Sequence, residues 1–185
     1  VQYTTIMTTI NICGKEVQTD DFFFFLSDEN LTSLPAEIGK LKNLMHLDLC
    51  FNKLTSLPAE IGEIKKLYEF YLYNNQLTSL PAEIGKLKKL EYLYLENNEL
   101  TSIPKEIGKL ENLVQLNLYY NQLTSLPKEI GKLKNLVHLD LCHNKLTSLP
   151  AEIGKLEKLK SLYLINNAIS KEEIEKLKKL LLNCK

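Results

Sequence analysis

A pattern that recurs every 23 residues constrains the fold of this chain more than any other feature. Segments such as NKLTSLPAEIGEIKKLYEFYLYN and NQLTSLPAEIGKLKKLEYLYLEN carry it almost unchanged. The asparagines that obey this period are Asn52, Asn75, Asn98, Asn121, Asn144 and Asn167. The prolines that obey it are Pro35, Pro58, Pro81, Pro104, Pro127 and Pro150. A fixed period of this length predicts a solenoid, in which each unit buries its apolar face only against the neighbouring units.

Each unit is predicted to contain one strand and one short helical turn. In HLDLC, Leu47 and Leu49 alternate with polar residues, which indicates a strand with one buried face. The asparagine that follows, Asn52, is expected to satisfy backbone groups where the chain turns. Further on, Pro58 marks the start of a helical turn and Gly62 its expected end. Aliphatic residues at spacings of 4 and 3 line the side of that turn that faces the strand: Leu57, Ile61 and Ile64.

The strand and its asparagine form the motif L-x-x-L-x-L-x-x-N-x-L, which reads clearly at Leu44, Leu47, Leu49, Asn52 and Leu54. This motif resembles that of the leucine-rich repeat family. The spacer LTSLPAEIGKLKN is most similar to the 23-residue repeats of bacterial proteins found in Leptospira. The resemblance implies an α/β leucine-rich repeat solenoid, with a curved parallel sheet on the concave side and short helical or 3-10 turns on the convex side. It also implies a protein-binding habit, without naming a partner.

The ends of the repeat array depart from the motif, as expected for capping segments. The first unit carries Glu29 where the others have asparagine, and the ending KEEIEKLKKLLLNCK is similar to the C-terminal cap of the bacterial group. Ser170 and Glu173 are spaced as a capping box at the start of an amphipathic helix. The predicted parts are a β cap at 1–20, the repeats at 21–169 and a capping helix at 170–185.

Side chains between and just after the strand leucines are predicted to point away from the core. Seven of the nine tyrosines fall in these positions: Tyr71, Tyr73, Tyr92, Tyr94, Tyr119, Tyr120 and Tyr163. Tyrosine is enriched at binding hot spots because it offers a large contact area with little rotamer entropy to lose. Strand propensity alone is the competing explanation. Because Asp48, Glu69 and Glu96 share this surface, we predict a non-enzymatic module that binds a protein or peptide with basic or amide groups.

The stretch VHLDLCHN holds four residue types that bind zinc: His138, Asp140, Cys142 and His143. The first three alternate along one strand, so His138 and Cys142 are about 13 Å apart and too far to share one ion. A neighbouring pair could still chelate. The second hypothesis is therefore a metal-bridged assembly protein, in which these residues join two chains. HLDLC also occurs at 46–50, but segment duplication explains that recurrence. We expect no resident cofactor, and adventitious zinc or nickel binding at 138–143 is favoured over a physiological metal site.

The sequence does not indicate an enzyme. Cys142 beside His143 is the right pair for a thiolate nucleophile, yet neither a Gly-rich oxyanion turn nor a desolvated cleft accompanies it. The four cysteines are Cys13, Cys50, Cys142 and Cys184. Cys13 and Cys184 lie in opposite caps about 30 Å apart, and Cys50 and Cys142 are also too distant from each other, so the sequence does not predict an intramolecular disulfide framework.

Composition limits the partners. The formal net charge is zero, which argues against nucleic acid binding. The apolar run Phe22–Leu26 is far shorter than the ~20 residues of a membrane-spanning helix, so no transmembrane segment is predicted. Phe23 and Phe25 are expected to be exposed on the first strand, where they would support self-association, unless the N-terminal cap folds over them.

Localisation is open from these residues alone. The chain begins at Val1 instead of methionine, which is compatible with a leader that was removed. The family resemblance favours a secreted or cell-surface protein that meets host molecules. An intracellular scaffold with an unrelated binding face is the third hypothesis.

Overall fold

The computed structural model describes residues 8–181. The first part of the predicted N-terminal cap, at 1–7, and the last residues of the predicted C-terminal cap, at 182–185 with Cys184, lie outside the described residues. The described strands are β1 (Thr9–Ile12), β2 (Lys15–Gln18), β3 (Phe23–Phe25), β4 (His46–Asp48), β5 (Glu69–Tyr71), β6 (Tyr92–Tyr94), β7 (Gln115–Asn117), β8 (His138–Asp140) and β9 (Ser161–Tyr163).

Strands β3 to β9 form one parallel sheet, in which they are arranged in sequence order. The register advances by one repeat at each step, so His46 pairs with Glu69, and Glu69 pairs with Tyr92. Equivalent positions of successive units therefore form straight columns across the sheet. This arrangement confirms the predicted parallel solenoid.

A short 3-10 helix follows each of the first six strands of this sheet: Ala36–Lys40, Ala59–Glu63, Ala82–Lys86, Lys105–Lys109, Lys128–Lys132 and Ala151–Lys155. Each begins directly after a proline of the 23-residue pattern, such as Pro58 with a φ of −69°. Proline has its φ fixed near this value and lacks an N–H, so it suits the residue before the first helical turn. The predicted helix start is confirmed.

The core lies between the sheet and the 3-10 helices. Leu47, Leu49, Ile61 and Ile64 are completely buried. Phe70, which replaces a leucine of the motif, is also completely buried. Burying each such side chain stabilises the fold by roughly 1.5–3 kcal/mol before the loss of chain entropy. The predicted alternation of inward and outward residues is confirmed in every unit from β4 to β8.

The asparagine of each unit bonds to the unit before it. Asn98 Nδ2 donates to the carbonyls of Leu72 and Leu95, at 3.0 and 3.1 Å, and Asn98 Oδ1 accepts from the N–H of Leu77 at 2.9 Å. Asn52, Asn75, Asn121, Asn144 and Asn167 make the same three kinds of bond. The predicted role of this residue at the turn is confirmed, and it extends to the junction between units.

A β hairpin precedes the sheet and an α helix follows it. Strands β1 and β2 pair antiparallel, and the side chains of Ile12 and Val17 are buried against the first coil. Helix α1 (Lys171–Leu180) begins after Ser170, whose hydroxyl accepts the N–H of Glu173 at 3.2 Å. The Glu173 carboxylate lies 3.7 Å from Lys176 Nζ, so the structure shows one half of the predicted capping box. No helix within residues 8–181 is long and apolar enough to cross a membrane.

The phenylalanines of the edge strand β3 are not covered by the described hairpin. Phe23 is 54% exposed and Phe25 is 59% exposed. Phe23 stacks on the ring of His46, with centroids 4.5 Å apart, on the side of the sheet away from the core. Of the two alternatives for this pair, the structure of residues 8–181 shows the exposed one, and self-association stays a prediction.

The glycine of each repeat has a different role from the predicted one. Gly62 lies inside the 3-10 helix Ala59–Glu63 and is buried; it does not end the turn. A Cβ atom at Gly62 would lie 2.6 Å from the carbonyl oxygen of Glu83 in the next coil, which is too close for any side chain. At Gly108 the corresponding distance to the oxygen of Glu129 is 2.4 Å. The glycines therefore allow successive 3-10 helices to pack in backbone contact.

Gly108→Ala and Gly154→Ala make a matched pair that tests this contact. A Cβ at Gly154 would have Leu180 Cβ as its nearest neighbour, at an ordinary 3.4 Å. We expect Gly108→Ala to lower the free energy of unfolding by about 1–3 kcal/mol, because overpacking forces the coils apart. Gly154→Ala should be neutral or slightly stabilising, since alanine reduces the entropy of the unfolded chain. Urea denaturation followed by circular dichroism measures both, and equal losses would contradict the packing explanation.

Candidate functional site

The side of the seven-stranded sheet opposite the core is called the open face below. The asparagine of the 23-residue pattern, which bonds to the preceding unit, is called the ladder asparagine. Each unit contributes to the open face the two outward side chains of its strand and the two residues before the ladder asparagine position. In the unit of β5 these are Glu69, Tyr71, Tyr73 and Asn74. All the tyrosines predicted for the binding surface lie on this face, and none belongs to the core. Tyr120 is 56% exposed, and the others are half-buried except for the exposed Tyr163.

Tyrosines of neighbouring units contact one another. The rings of Tyr71 and Tyr94 are stacked, with an interplanar angle of 2° and centroids 5.0 Å apart. Tyr73 meets the ring of Phe51 edge-on at 5.2 Å. Tyr92 meets Tyr68 in the same way at 5.5 Å. The parallel register places equivalent side chains such as Tyr71 and Tyr94 on adjacent strands about 4.8 Å apart, and the other two pairs join positions that differ by one residue in this register.

Glu69 is the centre of a small polar network. The hydroxyl of Tyr71 donates to Glu69 Oε2 at 2.6 Å, and His46 Nδ1 lies 2.9 Å from the same oxygen. Burial and then this carboxylate raise the pKa of Tyr71. The phenol is therefore neutral at physiological pH, and the network holds its ring in place for stacking on Tyr94.

Three outward residues bond to their own backbone. Asp48 Oδ1 accepts the N–H of Cys50 at 2.9 Å, and Asp140 Oδ1 accepts the N–H of Cys142 at 2.9 Å. Asn117 Oδ1 accepts the N–H of Tyr119 in the same way, at 3.0 Å. These are Asx turns, which end the strand. Sequence reasoning assigned Asp48 only to partner binding; the signal for the structural bond was an Asx residue immediately before the third leucine of the unit.

A second aromatic group lies toward the C-terminal end of the open face. The rings of Tyr119, Tyr120 and His143 have centroids 5.1 to 5.7 Å apart. Asn166 Nδ2 lies 3.0 Å from Nε2 of His143. Nearby, a shallow concavity of about 310 Å³ is lined by Gln115, Leu116, Asn117, His138, Asp140 and Tyr163.

The residue before each ladder asparagine has a left-handed backbone. The residues concerned, with φ between 53° and 57°, are Phe51, Asn74, Asn97, Tyr120, His143 and Asn166. Asparagine tolerates this region, whereas bulky residues enter it at a cost of roughly 1–3 kcal/mol. Phe51, Tyr120 and His143 thus occupy a strained conformation on the open face.

The structure does not bring the four residues of the zinc hypothesis together. Within residues 8–181, no group of three or more His, Cys, Asp or Glu side chains is arranged to hold a metal ion. His138 is exposed, the Asp140 carboxylate bonds to the backbone, and His143 packs against Tyr119 and Tyr120. Cys142 was predicted to project outward, but it is 6% exposed.

The thiols of Cys50 and Cys142 are buried and protonated. Cys142 comes two residues after the end of β8, and its side chain is buried. Desolvation and then the hydrogen bond with Asp140 raise the pKa of its thiol to about 11. Burial likewise raises the pKa of Cys50. Cys13, Cys50 and Cys142 are free cysteines. A protonated thiol is a poor nucleophile.

Two family models match this chain. The model described as a leucine-rich repeat region matches residues 23–120, and the model described as a leucine rich repeat matches residues 111–169. Comparison with curated proteins yields no match. Leucine-rich repeat domains are typically non-enzymatic and bind proteins or peptides.

Solved structures are similar in fold and sequence. A leucine-rich repeat protein of Leptospira interrogans is 43% identical, with a TM-score of 0.67, over 88% of this chain and 47% of that one. The plant peptide hormone receptor RGFR1, in complex with RGF2, is 37% identical, with a TM-score of 0.68, over 73% of this chain and 23% of that one. A TDR receptor is 29% identical, with a TM-score of 0.71, over 83% of this chain and 27% of that one. The chain spans less than half the length of these structures.

The motif, the parallel coils with their buried asparagines and the matched models agree: this chain belongs to the leucine-rich repeat family.

Proposed function

We propose that this chain is a non-enzymatic module that binds a protein or peptide through its open face. The observation that carries the proposal is the row of tyrosines on that face: Tyr71, Tyr73, Tyr92, Tyr94, Tyr119, Tyr120 and Tyr163. Stacked rings such as Tyr71 and Tyr94 are already ordered in the free protein. Little side-chain entropy is then lost on binding, which favours affinity.

The left-handed aromatic residues also support a contact role. Asn74 and Asn97 have the same backbone conformation as Tyr120 and His143. The turn therefore forms with asparagine and does not require an aromatic ring. A strained tyrosine at an exposed position is better explained by the surface that it presents than by the stability of the turn.

Similarity to the receptor structures supports the same class of partner. RGFR1 is a plant peptide hormone receptor, and its structure is that of a complex with RGF2. We transfer from it only the class of partner, a protein or peptide, and leave the hormone with that receptor.

Site-specific photocrosslinking tests whether the open face is the one used. Benzoylphenylalanine placed at Tyr94 should crosslink a partner protein in the source cells, whereas the same group at Lys105 should not. Lys105 is exposed on a 3-10 helix, on the opposite side of the core. Titration of the captured and purified protein with Tyr94→Ala should show at least a tenfold loss of affinity, as for a hot-spot tyrosine. Lys105→Ala is the matched control. Crosslinks from Lys105 alone, or unchanged affinity of Tyr94→Ala, would contradict the proposal.

Tyr120→Asn tests whether the exposed tyrosines serve the fold instead. The change relieves roughly 1–2 kcal/mol of left-handed strain but removes ring contacts with Tyr119 and His143, each worth about 0.5–1.5 kcal/mol. These terms oppose each other, so we expect the free energy of unfolding to change by less than about 1 kcal/mol. Leu118→Ala, at a buried position in the same unit, should cost about 2–5 kcal/mol. Urea denaturation compares the two; a comparable loss for Tyr120→Asn would assign Tyr120 to the fold.

We also propose that the complete protein is exported and meets host molecules at the cell surface or outside the cell. The 43% identity to the Leptospira interrogans protein supports a bacterial source for the repeats, on which this proposal rests. If the full-length protein is on the cell surface, protease added to intact source cells should digest it. If it is secreted, it should be present in the culture medium. If it is recovered intact inside the cells, the intracellular scaffold replaces this part of the proposal.

A further inference from the structure

The neutral net charge of the chain conceals a segregation of charge. The chain has 23 lysines and no arginine. Within residues 8–181, no lysine occupies an open-face position. The acidic residues on the open face are Asp28, Asp48, Glu69, Glu96 and Asp140. Within residues 8–181 the lysines lie on the flanks and the outer surface, and several pair with glutamates, as Lys42 and Lys86 do with Glu63. A partner that approaches the open face therefore meets aromatic rings and carboxylates.

Most of these carboxylates already have partners. Asp48 and Asp140 accept backbone N–H groups, and Glu69 bonds to Tyr71 and His46. Glu96 differs, because its Oε2 atom is shielded from solvent and makes no hydrogen bond among residues 8–181. A buried charged oxygen without a partner carries a desolvation penalty, which a cation arriving from outside would offset.

The surroundings of Glu96 are aromatic. Three residues on adjacent strands are in register: Tyr71, Tyr94 and Asn117. The residues two positions after them therefore form a second column: Tyr73, Glu96 and Tyr119. Tyr73 and Tyr119 therefore flank Glu96 in the neighbouring units, about 4.8 Å away on each side at strand spacing. Desolvation raises the pKa of Glu96, with a smaller contribution from the charge of Asp140. A partly desolvated carboxylate between two tyrosines suits an ammonium or guanidinium group, which gains an ion pair and cation–π contacts together.

We infer that the partner is an extended protein segment that carries lysine or arginine, and that one of its basic side chains binds Glu96 between Tyr73 and Tyr119. The inference rests on the proposed function and specifies the chemistry of the ligand. An acidic or purely apolar segment lacks the complementary charge and would leave Glu96 Oε2 without a partner.

Three labelled peptides of equal length test the inference by fluorescence anisotropy: one alternates lysine with alanine, one has acetyl-lysine in place of lysine, and one has glutamate. The lysine peptide should bind the wild type at least tenfold more tightly than the other two. Glu96→Gln should weaken its binding at least tenfold. Glu111→Gln is the matched control, since Glu111 is exposed outside the open face and the charge change is identical; it should alter binding less than twofold. Absence of binding by the lysine peptide, equal binding of the glutamate peptide, or equal effects of the two substitutions would each overturn the inference.

Stability distinguishes a binding role of Glu96 from a structural one. Because the folded-state pKa is raised, protonation favours the folded protein; the penalty of the charged carboxylate develops as the pH rises above the ordinary glutamate pKa and is complete above the raised one. Glu96→Gln should therefore raise the urea midpoint at pH 7 and leave it unchanged below about pH 4, under the ordinary glutamate pKa. A lower midpoint at pH 7 would assign Glu96 to the fold and overturn the inference.

The partner captured by photocrosslinking separates failure of the inference from failure of the proposed function. If its affinity depends on Tyr94 but not on Glu96, the open face binds a protein, and only the inference that a basic side chain binds Glu96 is wrong. If its affinity depends on neither residue, the proposed function fails as well.

Discussion

The buried asparagine of each unit is the interaction on which the rest of the structure depends. Its amide donates to a carbonyl 26 residues earlier and accepts from an N–H 21 residues earlier, so one side chain joins two coils. Each such bond contributes only about 1 kcal/mol, but an unpaired buried group would cost about 1–3 kcal/mol. The asparagines therefore act mainly by excluding other spacings of the coils. The first unit has no asparagine of its own at this position, so it is joined only to the unit after it: the Leu26 carbonyl accepts from Asn52 Nδ2, the N–H groups of Glu29 and Leu31 bond to Asn52 Oδ1, and the Glu29 side chain pairs with Lys15 of the hairpin.

The period and the inward leucines could be predicted from the sequence because they depend on local alternation repeated many times. Contacts between units are less visible, since a single repeat does not show what packs on it. Gly62 resembled the end of a helical turn, yet its small size is needed because Glu83 of the next coil approaches it. Cys142 was assigned outward by extending the strand alternation two residues beyond the strand; its small side chain is buried there, whereas the larger Tyr73 and Tyr119 at the equivalent position are only half-buried. Within the strands the same alternation holds, and it places Tyr71, Tyr92, Tyr94 and Tyr163 on the open face.

Stability and surface chemistry are carried by different positions of the repeat. Leucine, isoleucine, asparagine and glycine hold the coils at fixed spacing, and they are nearly the same in every unit. The side chains of the open face differ from unit to unit. The residue before the ladder asparagine has the same left-handed backbone in each of these units, yet it is phenylalanine, asparagine, tyrosine or histidine. Because the interior supplies the stability, strain at Phe51 or Tyr120 does not threaten the fold. This separation lets the face vary without altering the register beneath it.

The same separation explains why composition says little about the partner. Lysine and glutamate on the flanks and outer surface balance each other in ion pairs such as Lys134 with Glu157, and they set the net charge at zero. Exposed pairs of this kind contribute little to stability and make the outer surface soluble. The field over the open face is instead set by a few carboxylates close to aromatic rings. A ligand responds to that local potential rather than to the charge of the whole molecule, so the choice of partner depends on the columns of the sheet.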